Sequence, residues 1–204
     1  MKWPGLRGPI LLAMLVNFLL VPSSSLTPIM VTKVFGKGVI ELGWMETFFG
    51  VGIITGGFVL GAWGGFIRKI VTTLTGIIGI GAGVIIFGVS PFYLFILVLL
   101  ANFVIGATQV FANGPLVAIF QSAIEPDMQG RVFSLLGSGA TAMVRLSLLV
   151  AGPISDWMRE RTWYLIGGGL CILVTLVAFS NNSIMNIEKN RNSFSPLSDS
   201  QNQI

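Results

Sequence analysis

The chain has 204 residues, of which 53% are hydrophobic and only 10% are charged. A soluble domain carries about 25% charged residues, so the composition excludes a water-soluble globular domain and predicts an all-α integral membrane protein. The sequence has no His and one Cys, which excludes His-based acid–base catalysis, internal disulfides and Cys/His zinc sites. The net charge of +4 forms no continuous basic patch, so nucleic acid is not an expected partner.

Apolar stretches of about 20 residues predict six membrane-spanning helices. They are Pro9–Val31, Leu42–Gly64, Ile70–Val89, Phe92–Phe111, Val132–Ile154 and Trp163–Phe179. No charged residue occurs from Ile70 to Ile124, and a single helix of that length would be about 80 Å long. Ser90 and Pro91 are expected to break this stretch, because proline has no N–H. An extension of the fourth span past Pro115 stays open.

The first span has two interpretations. A basic start, an apolar stretch to Val21 and three serines fit a cleaved signal peptide. The apolar pattern resumes at Leu26–Val31, which favours a membrane helix that is broken at Pro22.

The basic residues predict the orientation. If the N-terminus is cytosolic, seven basic residues lie in cytosolic segments and four in outer loops, as the positive-inside rule requires. The cytosolic set is Lys2, Arg7, Arg68, Lys69, Arg131, Lys189 and Arg191, and the outer set is Lys33, Lys37, Arg159 and Arg161. We expect residues 1–180 to form a six-helix membrane unit and residues 181–204 to be a disordered, polar cytosolic tail.

Glycine-rich faces predict close helix packing in the second and third spans. The pairs or triplets at four-residue spacing are Gly52 and Gly56; Gly57, Gly61 and Gly65; and Gly79 and Gly83. Glycine lets membrane helices approach each other closely. Ordinary packing is the favoured interpretation, and helices that slide during a transport cycle are the alternative.

Polar side chains inside two spans are candidates for a substrate path. Asn102, Gln109 and Asn113 share one face of the fourth span, and Ser134, Ser138, Thr141 and Arg145 share one face of the fifth. Hydrogen bonding between helices is the alternative for the amides and hydroxyls.

Arg145 lies midway along the fifth span, where an Arg costs about 2.5–3.5 kcal/mol on insertion scales. We therefore expect it to face a path, where it would attract an anionic group. The alternatives are a pair with backbone carbonyls or with a carboxylate. Glu46 is the carboxylate that could approach a span interior, although its neighbour Trp44 favours an interfacial position.

Three loop sequences carry a resemblance to a known family. They are Gly61-Ala-Trp-Gly-Gly-Phe-Ile-Arg-Lys69, Glu125-Pro-Asp-Met-Gln-Gly-Arg-Val-Phe133 and Ala151-Gly-Pro-Ile-Ser-Asp156. Together with six spans, they resemble the C-terminal half, helices 7 to 12, of a major facilitator superfamily transporter of the macrolide-efflux type. The resemblance implies one half of a two-half bundle in a bacterial plasma membrane, and a missing N-terminal six-helix half as partner.

The resemblance also implies roles for the loop residues. Gly61, Arg68 and Lys69 match a cytosolic glycine and basic signature, but Gly64 and Gly65 replace its Asp and basic residue, so a charged gate is not expected. Gly152 and Pro153 match a Gly-Pro motif of drug–proton exporters, and they predict a helix end that is not straight.

The implied function is secondary export, coupled to protons, of a small hydrophobic drug such as a macrolide, with no enzyme activity, cofactor or metal. Because no carboxylate lies deep in a span, the coupling residue is expected in the missing half. The alternative is a membrane subunit without transport of its own, or an inactive truncated transporter that needs a partner half.

Overall fold

The computed structural model describes residues 7–123, 126–157 and 160–180, and they form six α-helices. The helices are α1 (Arg7–Ile29), α2 (Val39–Trp63), α3 (Lys69–Val89), α4 (Phe95–Ala123), α5 (Pro126–Trp157) and α6 (Glu160–Ser180). No strand occurs in these ranges, so the predicted all-α fold is confirmed. The tail predicted for residues 181–204 lies outside the described residues.

Among the described residues, five helices are long and apolar enough to cross a membrane, namely α1, α2, α3, α4 and α6. The fifth helix is the longest, with 32 residues, and one of its faces carries Ser138, Thr141 and Arg145. A polar membrane helix needs a polar or protein environment on that face.

The break between α3 and α4 lies where the sequence predicts it. The third helix ends at Val89, and the Ser90 hydroxyl donates a hydrogen bond to the Ile86 carbonyl at 2.6 Å. The fourth helix continues through Pro115 to Ala123, so the extension past Pro115 is confirmed.

The expected break of the first span at Pro22 is wrong. The first helix continues through Pro22 and Pro28 to Ile29, and a π-helical segment, Met30–Val34, follows it. The fifth helix continues through positions 152 and 153 to Trp157, and the expectation that its end at the Gly152-Pro153 pair is not straight stays a prediction. A proline removes one backbone hydrogen bond, and a membrane helix tolerates that loss when neighbouring groups compensate.

The helix contacts show an internal repeat. The first helix packs on α5 and α6, the fourth packs on α2 and α3, and α3 packs on α6. Exchanging the set α1–α3 with the set α4–α6 maps the contacts of α1 onto those of α4, and it maps the contact between α3 and α6 onto itself. Consecutive helices run in opposite directions, so α1 and α4 are antiparallel and the two three-helix units have inverted topology. Such nested repeats are typical of transporter halves.

Close backbone contact at glycine holds α2 against α4. A Cβ atom at Gly52 or Gly56 would collide with the backbone at Phe103 or Ala107, and one at Gly106 would collide with the backbone at Phe49. The predicted packing role of Gly52 and Gly56 is therefore confirmed.

The other predicted glycine sets have different outcomes. Gly79 and Gly83 face the side chains of Thr108 and Ile105 on α4, so their packing role is confirmed. A Cβ atom at Gly57 or Gly61 would have nothing within 4 Å. The prediction that these two glycines pack another helix is therefore wrong for the described residues.

Candidate functional site

A cavity of about 440 Å³ lies between α1, α2, α3, α4 and α6. Its walls combine aliphatic and aromatic side chains with polar ones. The polar residues are Asn17, Ser23, Ser24 and Thr27 on α1, Glu46 on α2, Asn102, Gln109 and Asn113 on α4, and Tyr164 on α6. Sites for small organic molecules typically have volumes of about 300–1,000 Å³ and a few polar groups in an apolar wall. The cavity therefore has the size and the lining of a small-molecule site.

The amide residues predicted for a path lie in this cavity. Asn102, Gln109 and Asn113 all line it, because spacings of seven and four residues return to one face of α4. The Asn102 Nδ2 group donates a hydrogen bond to the Val98 carbonyl at 2.9 Å. This bond does not use the side-chain oxygen of Asn102, which can accept a hydrogen bond from another donor.

A polar cluster joins α1 to α6 at the cavity wall. The Tyr164 hydroxyl donates to the Ser23 carbonyl at 2.8 Å and lies 3.3 Å from the Thr27 hydroxyl, which itself donates to the Ser23 carbonyl at 2.9 Å. The Tyr164 ring stacks on Phe87 with 4.7 Å between the centroids. Tyr164 thus connects α1, α3 and α6.

Two buried polar atoms near this cluster lack a hydrogen-bond partner among the described residues, the Ser23 hydroxyl oxygen and the Trp163 indole nitrogen. Each lies 3.7 Å from the position that a Cβ atom would take at Gly167. An unpaired polar group in an apolar interior is costly. Ser23 is among the residues that line the cavity, but its hydroxyl oxygen is itself buried.

Glu46 also lines the cavity, two helical turns after the start of α2. It is exposed, as the interfacial interpretation of the sequence predicts. The two side chains that precede Glu46 differ in exposure, since Met45 is buried and Trp44 is 55% exposed.

The polar face of α5 lies elsewhere. Ser138, Thr141 and Arg145 are exposed, and none of them is among the residues that line the cavity. The Thr141 hydroxyl donates to the Gly137 carbonyl at 2.9 Å within the helix. The predicted path residues therefore separate into three on α4 that share a cavity and those on α5, which are not among the lining residues.

No family model and no solved structure matches the chain, but curated sequences do. Macrolide efflux protein A of Streptococcus pyogenes is 27% identical over 184 residues, which are 90% of this chain and 45% of the relative. The multidrug efflux pump Tap of Mycolicibacterium fortuitum is 30% identical over 120 residues, 57% of this chain and 28% of the relative. The uncharacterised MFS-type transporter YfiS of Bacillus subtilis is 25% identical over 193 residues, 90% of this chain and 44% of the relative.

The chain is similar to efflux proteins and to a transporter of the MFS type. The resemblance derived from the loop sequences is thereby confirmed, and the chain is a multi-pass membrane protein with a lipid bilayer as its surroundings. It spans about 45% of the Streptococcus pyogenes relative.

The loop between α2 and α3 contains the two glycines at which the sequence differs from the signature that the resemblance implies. Gly64 and Gly65 have positive φ angles of 76° and 77°, and the Gly64 N–H donates to the Leu60 carbonyl at 2.8 Å. A side chain is strained in this left-handed conformation. The backbone shape of this loop therefore favours glycine at both positions, and Arg68 and Lys69 follow before and at the start of α3.

Sequence reasoning missed several residues of the cavity. From the sequence, the polar residues around Pro22 indicate a broken helix, and no pattern singles out Tyr164. The signal that could have found Ser23 and Thr27 is their four-residue spacing, which puts both on one face of a continuous helix. Nothing in the sequence connects Ser23 to Tyr164, which follows 141 positions later.

Proposed function

We propose that the chain is one six-helix half of a secondary exporter that moves a small hydrophobic drug, such as a macrolide, out of the cell in exchange for protons. The cavity between five helices carries this proposal, because it combines apolar walls with nine polar residues inside a membrane protein. The efflux proteins among the relatives support it. The site of action would be the plasma membrane.

The exposed face of α5 supports a partner half. An Arg that faces hydrocarbon costs about 2.5–3.5 kcal/mol, and Arg145 is exposed in this chain. A second six-helix unit, the N-terminal half of the family template, would cover this face and enclose a shared path. Ser138, Thr141 and Arg145 would then line the part of the path that this chain cannot enclose alone.

The α4 residues would provide this half's contribution to the path. Asn102, Gln109 and Asn113 would offer hydrogen bonds at successive depths of the membrane, since the chain rises about 1.5 Å per residue along a helix. Gly61, Arg68 and Lys69 would mark the cytosolic loop, and α1 to α6 would be the transport domain, followed by a separate tail at residues 181–204.

The test begins with the genomic sequence upstream of Met1. We expect six further spans there, in frame or in an adjacent gene. The chain is then expressed in drug-sensitive bacteria, alone and together with that half, and accumulation of radiolabelled erythromycin is measured with and without a protonophore. The pair should lower accumulation at least several-fold, and the protonophore should abolish the difference. Unchanged accumulation, with both halves detected in the membrane, contradicts the proposal.

A second candidate is a membrane subunit without transport of its own, or a truncated transporter that is inactive. The open glycine face at Gly57 and Gly61 favours it, because such a face suits docking by another helix. Co-purification of a stable complex without any change in drug accumulation would favour this candidate over export.

A further inference from the structure

We propose that the loop between α2 and α3 binds the headgroup of an anionic phospholipid in the leaflet at its end of the bundle. The binding surface consists of three exposed apolar side chains and the two cations that follow them, namely Trp63, Phe66, Ile67, Arg68 and Lys69. None of these residues is among those that line the cavity. The inference is therefore independent of the proposed export.

The two cations have no acidic counterpart in the adjoining helices. Arg68 and Lys69 are the charged residues between Glu46 and Glu125, so α3 and α4 carry no carboxylate. Helix α3 begins at Lys69, has no acidic residue in its first turn, and receives no side-chain cap at Arg68. Because a helix N-terminus carries partial positive charge, both cations add to an end that is already positive. An anion at this position is favourable.

The side chains that precede the cations suit the boundary between lipid headgroups and acyl chains. Ile67 is fully exposed, and Trp63 and Phe66 expose about half of their surface. The two rings pack edge to face, with 4.7 Å between their centroids. Aromatic side chains are enriched at membrane–water interfaces. A soluble anion would leave these apolar side chains in water, so the surface fits a lipid rather than free phosphate.

Hydrogen bonds hold the loop in one conformation. The Gly64 N–H donates to the Leu60 carbonyl at 2.8 Å, and the Phe66 N–H donates to the Thr72 hydroxyl at 2.9 Å. These bonds join the loop to α2 on one side and to α3 on the other. The aromatic pair and the cations therefore keep their relative positions, which lowers the ordering cost of binding.

The length of α3 places the loop at the membrane boundary. Helix α3 has 21 residues, which correspond to about 32 Å at about 1.5 Å per residue, and the hydrocarbon core is about 30 Å thick. Lys69, the first residue of α3, therefore lies at the edge of the hydrocarbon when α3 spans it. Long basic side chains extend from such positions toward the headgroups. Both cations can thus reach a lipid phosphate.

The experiment measures which lipids surround the loop. A variant keeps Trp63 and has Phe at the other Trp positions, and it is reconstituted into phosphatidylcholine vesicles. One fifth of the lipid is either phosphatidylglycerol or phosphatidylcholine with brominated acyl chains, which quench nearby Trp fluorescence. We expect the quenching to show at least a threefold enrichment of phosphatidylglycerol at Trp63, because each Lys or Arg near an anionic surface contributes about a fivefold preference.

Two variants test the cause of this preference. The double variant Arg68→Gln/Lys69→Gln should lose it and still be quenched by brominated phosphatidylcholine, since the apolar side chains remain. The matched control keeps Trp44 in place of Trp63. These residues lie at opposite ends of α2 and are 55% and 53% exposed, but the end near Trp44 has its own carboxylate, Glu41, which accepts a backbone hydrogen bond at 2.9 Å. A preference at least twofold smaller is expected there.

Circular dichroism verifies the helical content of each variant. Equal quenching of Trp63 by the two lipids, a preference that survives the double variant, or one that is as large at Trp44 overturns the inference. Inorganic phosphate at constant ionic strength should leave the preference unchanged. If phosphate abolishes it, the loop is a site for free phosphate and the assignment to lipid is wrong.

Discussion

The second and fifth helices occupy equivalent positions in the two three-helix repeats, but they are held in different ways. Helix α2 packs on α4 through glycine, with backbone against backbone at Gly56 and Ala107. Helix α5 packs on α1, and its Gly139 faces only the flexible end of the Met14 side chain. The open faces differ as well, since α2 exposes apolar side chains such as Phe58 and α5 exposes Arg145.

This difference indicates that α2 contributes to the stability of the half itself, whereas α5 depends on a partner. Glycine contacts fix α2 to its own half, because close approach gains packing energy along the whole helix. The fifth helix gains less from its neighbours and exposes polar groups that lipid does not satisfy. The two equivalent helices therefore have different roles. Helix α2 is packed firmly within its own unit, whereas α5 has a polar face that needs a partner.

The largest effect is expected at Arg145. Arg145→Leu should favour membrane insertion of α5 by about 2.5–3.5 kcal/mol, because the variant removes a charge that would enter the hydrocarbon at the middle of the helix. The inserted fraction can be measured by placing α5 between two glycosylation sites in a microsomal translation assay. The control is Arg131→Leu, at the first turns of the same helix, where the charge can reach water. An equal gain for both variants would show that the depth of Arg145 is not the cause.

A smaller effect is expected in the α2–α4 contact. Gly56→Leu should destabilise the folded chain by about 1–3 kcal/mol, because the new side chain would overlap the backbone at Ala107. The adjacent Gly57 has nothing within 4 Å of its Cβ position, so Gly57→Leu should change the stability of the isolated chain very little. The measurement is the midpoint of unfolding by sodium dodecyl sulfate, followed by circular dichroism. Similar midpoints for the two variants would contradict the glycine contact.

The smallest effect is expected at the hydrogen bond that joins α6 to α1. Tyr164→Phe removes the hydrogen bond to the Ser23 carbonyl and keeps the ring that stacks on Phe87, so it should cost about 0.6–1 kcal/mol. Tyr93→Phe is the control, because Tyr93 is 72% exposed. The same unfolding assay compares them, and a loss for Tyr93→Phe as large as that for Tyr164→Phe would speak against the tether.

Much of the fold could be predicted because hydropathy and helical period are local properties. The break at Ser90, the six helices and the shared face of Asn102, Gln109 and Asn113 all follow from spacing along the chain. The occurrence of glycine at positions 64 and 65 also has a local cause, the left-handed backbone of the loop. The φ angles that show this conformation are known only from the structure.

The remaining features depend on which helices meet. Gly56 and Gly57 are adjacent and chemically identical, yet one contacts α4 and the other faces open space, which no local pattern distinguishes. The direction of Glu46 is likewise decided by the rotation of α2 on α4. The bond from Tyr164 to Ser23 joins residues 141 positions apart, so only the fold brings them together.

The π-helical segment Met30–Val34 is equivalent to one surplus residue in an α-helix, since each of its hydrogen bonds encloses one more residue. All residues of α1 that line the cavity, from Ala13 to Thr27, precede it. A deletion of one residue within the segment would therefore convert it into regular α-helix and shorten only the C-terminal end, while the cavity wall kept its register. The C-terminal end of α1 can thus change in length independently of the part that lines the cavity.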